Sequence, residues 1–272
     1  MTTLLLLALA AADRPPVVGF SEPLRTVAVS AAEPGVLRTV DVVKGQRVAA
    51  GGLLATLDDD VLRAARDLAE ATAEGTAALE AARIRLERAE QTRRRLRVLE
   101  TEGHGGREEI ARAEADVRLA RTDVAAAEED RRLASLQVAK IDAELRRRRI
   151  AAPFAGTVAD VAREPGEYVA GGEASAVVTL VDLSKLRVRF HVPTARAAGL
   201  EQGDAVAVRL VHDGRRVPAA VEFASPVIDA ESDTVRVDVL IDNAAGGLRS
   251  GRRCQLLLDG ADRLAGGGGT GR

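Results

Sequence analysis

Residues 61–96, VLRAARDLAEATAEGTAALEAARIRLERAEQTRRRL, and residues 110–145, IARAEADVRLARTDVAAAEEDRRLASLQVAKIDAEL, decide the fold. In the first run, spacings of four and three alternate through Val61, Ala65, Leu68, Thr72, Gly75, Leu79, Ala82, Leu86, Ala89, Arg93 and Leu96. The second repeats them through Ile110, Ala113, Val117, Ala120, Val124, Ala127, Arg131, Ala134, Val138, Ile141 and Leu145. A seam of period about 3.5 is the heptad signature of a coiled coil. Gly103-His104-Gly105-Gly106 lies between the runs, so the chain is expected to fold antiparallel about that turn. The seams then pair large with small: Ala89 with Val117, Leu86 with Ala120, Ala82 with Val124, Leu79 with Ala127, Leu68 with Val138. Arg131 falls opposite Gly75 and Arg93 opposite Ala113, which leaves each arginine stem room to carry its charge to water. Each arm holds about 40 helical residues, a rod of about 60 Å at about 1.5 Å per residue.

On either side of the rod lie two similar segments. The first is Gly35-Val36-Leu37, Lys44-Gly45-Gln46-Arg47-Val48, Gly51-Gly52 and Leu57-Asp58; the second is Gly156-Thr157-Val158, Pro165-Gly166-Glu167-Tyr168-Val169, Gly171-Gly172 and Val181-Asp182. Each reads as short strands turned by glycines. Neither can bury a core alone, so the two halves must clasp into one small β-sandwich. The helical run leaves it at Asp58-Asp59-Asp60 and returns at Arg146 to Arg149, acidic at a helix start and basic at a helix end, as the helix dipole favours. Capping and a solvated face account for the arginine run; a binding site is the alternative.

The chain has 272 residues, enough for two or three domains, and a formal charge of -2. With that balance, and with 4 Phe, 1 Tyr and no Trp, it lacks the basic face and stacking residues of a nucleic-acid binder. Leu4 to Ala12 is a short apolar run followed by Asp13-Arg14-Pro15-Pro16, read as a signal peptide over 1–12, with an unstructured start as the alternative. It is too short to span a bilayer. Cys254 is the sole cysteine, so no disulfide within the chain is expected. After a proline-punctuated lead-in, Leu24 to Val29 alternates as a strand. From Ser184 the runs Leu186 to Val192, Ala205 to Val211, Val217 to Phe223, Thr234 to Ile241 and Cys254 to Leu258 suit a small antiparallel barrel, with one helical turn at Thr194 to Leu200. Residues 265–269 belong to a glycine-rich flexible tail over 261–272.

Ile150-Ala151-Ala152-Pro153-Phe154-Ala155-Gly156-Thr157-Val158, following a long hairpin and paired with Gly45-Gln46-Arg47-Val48, resembles the split lipoyl-like domain of periplasmic adaptor proteins, the HlyD-like membrane fusion proteins. Asp229 before Asp233-Thr234-Val235-Arg236-Val237, and Asn243 through Leu248-Arg249-Ser250-Gly251, are also similar to that family, so the resemblance runs from about Leu24 to Asp259. It implies an α+β chain: a split lipoyl-like β-sandwich (24–58 plus 149–183), an inserted long antiparallel coiled-coil hairpin (59–148) and a small antiparallel β-barrel (184–260). It implies a periplasmic adaptor that joins an inner-membrane efflux transporter, of RND type, to an outer-membrane duct. Such a protein is non-catalytic, peripheral to the membrane and a homo-oligomeric ring, trimer or hexamer. Arg94, Arg95, Leu96, Leu99 and Gly103, with Glu109, match the family's duct-docking tip. Leu96 can equally close the seam opposite Ile110, which makes Leu99 the sharper candidate. Gly105-Gly106 departs from the family pattern after the tip glycine, and the fourth, membrane-proximal domain of many adaptors is expected to be short or missing.

Chemistry finds little footing. His104, His191 and His212 are far apart in sequence and Cys254 has no cysteine partner, so spacing suggests neither a zinc site nor a Cys-His pair. No phosphate loop, nucleophile elbow or dinucleotide fingerprint is present. Lys44 precedes a turn glycine outside any biotinyl or lipoyl context, so no cofactor is expected. The alternatives are a coiled-coil scaffold, a type I or ABC secretion adaptor, or a biotin or lipoate carrier subunit.

Overall fold

Two long strands organise the β-structure. In the computed structural model, which describes residues 15–102, 104, 106–172 and 175–258, β1 (Val17–Ser30) and β8 (Ala176–Pro193) pair antiparallel from Gly19 opposite Phe190 to Ser30 opposite Ala176. The register shifts between Pro23 and Arg25, and there the pair passes from one core to another. The sequence reading ends one run at Asp182 and starts another at Leu186. Here the strand continues, because its pairing with β1 runs on from Leu186 opposite Pro23 to Asp182 opposite Arg25; at that irregularity Asp182 accepts from the Ser184 N–H and hydroxyl and from Arg25 Nη2 at 2.8 Å.

On one side of that shift, β1 and β8 join β9 (Ala205–Leu210), β10 (Arg216–Asp229), β11 (Thr234–Asp242) and β12 (Arg253–Leu257). The order β1-β12-β9-β10-β11-β8 closes through the β1–β8 pairing, a six-stranded antiparallel barrel. Closure removes the open edges that a half-buried sheet would otherwise expose. Alternation makes the barrel solid: Leu186, Val188, Phe190 and Val192 enter the core with Val208, Val237, Val239 and Leu256, while Arg187, Arg189 and His191 lie between them along the strand. The sixth strand comes from Val17 to Pro23, which the sequence reading takes as a lead-in. Its partners lie more than 160 residues away, beyond the reach of local pattern. One short helix, α4 (Thr194–Ala197), follows β8.

The two glycine-turned segments clasp as expected. The strands are β2 (Gly35–Val40), β3 (Arg47–Val48), β4 (Leu53–Leu57), β5 (Arg149–Ala151), β6 (Gly156–Val161) and β7 (Tyr168–Val169). β2–β7, β3–β6 and β4–β5 each join one half to the other. The repeat is visible in the register: Gly35 faces Val169, and its counterpart Gly156 faces Val48. Gly45 and Gly166, equivalent in the repeat, both turn at positive φ, 85° and 91°, the region glycine enters without steric cost. Each donates its N–H across to the other half, Gly45 to Val158 and Gly166 to Leu37. Leu37, Leu54, Leu57, Ile150, Phe154, Val158 and Leu180 fill the space enclosed.

β4 and β5 are neighbours in one sheet, so the helices that continue from them start side by side. α1 (Asp60–Glu74) and α2 (Ala77–Thr101) both pack against α3 (Arg107–Arg147). The sequence reading makes the first arm one helix, but the structure breaks it. Gly75 has φ -57° and ψ 121°, an extended residue that ends α1, and α2 restarts after Thr76. Beyond the break the predicted seam holds: Leu79, Ala82, Ile110, Ala113, Val117 and Ala120 are buried. Before it the seam is displaced. Val61, Ala65, Leu68 and Thr72 are exposed, and Leu62, Arg66, Ala69 and Ala73, one residue later, are half-buried. The expected pairing of Leu68 with Val138 is therefore absent, since Leu68 is 72% exposed.

Candidate functional site

At the far end of the helices, the last turns of α2 meet the first of α3. Arg97 and Glu114 form an ion pair across the two helices, and Arg121 Nη2 donates to Glu90 Oε1 at 3.0 Å. Those bonds hold the Glu114 and Glu90 carboxyls below the usual carboxylate range. Farther down, Arg83 and Glu128 pair at 3.1 Å, and Arg85 and Asp123 at 3.7 Å. These residues flank the seam, as the e and g positions of a coiled coil do. The end of α2 is closed by Thr101, whose hydroxyl donates to the Val98 carbonyl at 2.7 Å, and by the His104 N–H donating to the Leu99 carbonyl at 2.9 Å. α3 opens with Glu108 and Glu109 in its first turn, where the helix dipole favours them.

The predicted tip residues fall into distinct environments. Leu96 is half-buried in line with the α2 seam, and Ile110 on α3 is buried. Arg94 and Arg95 are exposed; Arg94 lies 3.9 Å from Glu90 and leaves its guanidinium largely in water. Leu99 is 36% exposed and Glu109 is exposed. Gly103 lies outside the described residues. Sequence reasoning missed Val98, which is 56% exposed and adjoins Leu99. Its position off the heptad was the signal: an apolar residue outside the seam on an otherwise charged helix end.

The base of the helices is built from ion pairs that the sequence reading assigned to capping. Asp59, at the start of α1, makes no capping bond; its buried carboxylate takes Arg38 Nη1 and Arg63 Nε, each at 2.9 Å. Arg38 also pairs with Asp60, so one strand arginine ties β2 to the start of α1. On the other side Arg147 and Arg148 both engage Glu33, and Arg148 Nη1 reaches the Pro34 carbonyl. A Cβ at Gly35 would stand 2.9 Å from Arg148 Nη1, so the glycine makes room for that guanidinium. Of the arginine run, Arg146 and Arg149 line an open concavity beside Arg63, Arg66 and Asp142, while Arg147 stays exposed as it pairs with Glu33. The base is thus a tether between sandwich and helices.

In the sandwich, Lys44 pairs with Asp160, which holds that carboxyl below its usual range. In the barrel, burial would push the Asp238 carboxyl up, but its bonds to Arg236 and Arg189 outweigh that and hold it low. Cys254 is fully buried and its thiol is pushed up to about 11. Among the described residues no group of His, Cys, Asp and Glu could hold a metal ion, and no helix is long and apolar enough to cross a membrane.

Two family models match this chain: the RND MFP barrel-sandwich hybrid domain over residues 25–181 and the CusB-like beta-barrel domain over residues 186–262. The nodulation protein NolF of Rhizobium meliloti (strain 1021) is 34% identical over 113 residues, 40% of this chain and 30% of that protein. The chain therefore matches less than a third of that relative's length. Among solved structures, MacA from Actinobacillus actinomycetemcomitans superposes with a TM-score of 0.72 at 21% identity, over 89% of this chain and 78% of that one. The membrane fusion protein Spr0693 from Streptococcus pneumoniae R6 gives 0.56 at 18% identity, over 90% and 99%. At these identities the structural matches establish the fold.

Proposed function

This chain belongs to the RND membrane fusion protein family, the adaptors of efflux systems, and from that premise we propose that it joins an inner-membrane transporter of RND type to an outer-membrane duct. In this reading the protein works in the periplasm as a homo-oligomeric ring, trimer or hexamer, and performs no catalysis. The helices act as an antiparallel coiled-coil hairpin that carries a docking tip away from the β-domains, and the barrel faces the transporter.

The observation that carries the reading is the placement of Val98 and Leu99. The tip's open apolar side chains stand at the end of a helix pair whose other end is ion-paired to the sandwich through Asp59 and Glu33. A partner that covers them gains apolar burial, with Arg94, Arg95 and Glu109 at the rim for charge pairing.

Leu99→Asp tests this. Helicity and thermal unfolding are expected to stay nearly unchanged, because the side chain already touches water, while capture of the duct and efflux in cells are lost. Retained efflux, or melting of the helices, overturns the docking role of the tip.

A further inference from the structure

The first arm carries two apolar stripes, and only one is in use. As a sequence the heptad runs unbroken from Val61 to Leu96. In the structure the first stretch of that stripe faces water, Val61 at 83% and Leu68 at 72% exposure, and Leu62, Ala69 and Ala73 take its place beside α3. From Leu79 onward the heptad stripe is the buried one. The change of phase falls at Gly75-Thr76, the only interruption between Asp60 and Thr101. α3 opposite is continuous, and its own seam residues Ala134, Val138, Ile141 and Leu145 are buried or half-buried along the same length.

We propose that α1 is a two-position helix hinged at Gly75-Thr76. A turn of about 100°, one residue of α-helix, exchanges the Leu62 stripe for the Val61-Leu68 stripe and makes α1 and α2 one continuous helix. Each stripe brings one leucine to the seam, Leu62 with Arg66, Ala69 and Ala73, or Leu68 with Val61, Ala65 and Thr72, so the two differ in apolar burial by one valine set against the stem of one arginine. The occupied position is held by a polar contact to α3: Arg66 Nε donates to Asp142 Oδ1 at 3.1 Å, while the Arg66–Glu70 pair lies within α1 and turns with it. Arg131 Nε reaches the Ala73 carbonyl at 3.5 Å, at a helix end where carbonyls lack helical partners. The rotated position gains helical hydrogen bonds through the hinge and buries Leu68, and it gives up the Arg66 contact to Asp142, the Arg131 contact to the Ala73 carbonyl and, at the base, the pairing of Asp60 with Arg38. Rotation removes the break between base and tip, so a partner that fixes the direction of the tip also selects the face that α1 turns to α3. The inference rests on the hairpin reading above.

Single cysteines at Leu68, Ala69 and, as a control on α3, Leu119 report the position by their alkylation rates in the full chain. Cys254 is buried, its thiol lies near 11, and it stays silent. Gly75→Ala adds helix propensity and sets a Cβ 3.3 Å from the Thr72 carbonyl oxygen in the occupied position. It should therefore favour rotation: Ala69→Cys reacts about fivefold faster, the factor that the propensity difference supplies, Leu68→Cys reacts more slowly, and Leu119→Cys is unchanged. Unchanged rates at Ala69 and Leu68, or faster rates at both, overturn the proposal. A second arm uses disulfides in chains that keep Gly75. Mild oxidation should trap Leu68→Cys with Val138→Cys, and should bridge Ala82→Cys with Val124→Cys. Failure of the first pair alone overturns the two-position helix; failure of the second overturns the hairpin reading itself.

Discussion

In the barrel, Leu186, Val188, Phe190 and Val192 are all at most 1% exposed, whereas α1 buries no residue at all. Both stretches were read from apolar periodicity, and the periodicity predicted one correctly and the other a residue out of phase. The difference lies in what a slip would cost. Slipping β8 by one residue would turn Arg187, Arg189 and His191 into the barrel core and Phe190 out of it, a change that closed packing forbids. Slipping α1 by one residue exchanges one half-covered stripe for another on a helix that packs against α3 alone among the helices. A pattern is binding where the surroundings enclose it.

The comparison can be broken most directly by cutting one buried side chain from each region. Phe190→Ala is expected to cost about 3–5 kcal/mol and Leu79→Ala about 2 kcal/mol, the low end of the range for a buried leucine, because the helix pair can close over the gap. Chemical denaturation followed by circular dichroism measures both. Equal losses would mean that the helix seam is packed as tightly as the barrel.

A smaller effect separates the ion pairs of the two regions. Asp238 is buried beneath Arg189 and Arg236 on the barrel wall. Asp238→Asn is expected to cost about 1–2 kcal/mol at neutral pH, trimmed because both guanidiniums reach water. The sign of its pH dependence follows from a carboxyl held below its unfolded value. The stabilisation is complete above the unfolded pKa of about 3.9 and is lost as pH falls through the lower folded value. Parent and variant should therefore converge below about pH 4 and stay apart above it; a gap that widens in acid would contradict the assignment.

The smallest effect is expected at the tip. Arg97 is exposed and Glu114 half-buried, so their pair is largely screened by water, and Arg97→Gln should move the thermal midpoint little, as solvent-screened pairs generally do. A clear drop would show that the tip pair holds the two helices together.

The sequence by itself determined every feature that rests on local chemistry or on a repeat. The two glycine-turned halves were legible because Gly45 and Gly166 must turn at positive φ and their strands alternate. The helices and the seam from Leu79 to Leu96 and from Ile110 onward were legible because seam and solvent faces differ in polarity over many turns. The proposed docking residues Leu96, Leu99 and Glu109 were reached from a resemblance, and the exposed Val98 beside them, which no heptad position marks, was not singled out. Only the tertiary structure decided the rest. Val17 to Pro23 became the strand that closes the barrel because its partners Arg253 to Leu256 and Leu186 to Phe190 are remote in sequence. Arg147 and Arg148 became a tether because folding of the sandwich brings Glu33 beneath them. The phase of α1 was settled by contacts of Arg66 and Arg131 with groups that no periodicity counts. Periodicity reports which side chains avoid water, and not which polar groups the finished fold will set within reach of one another.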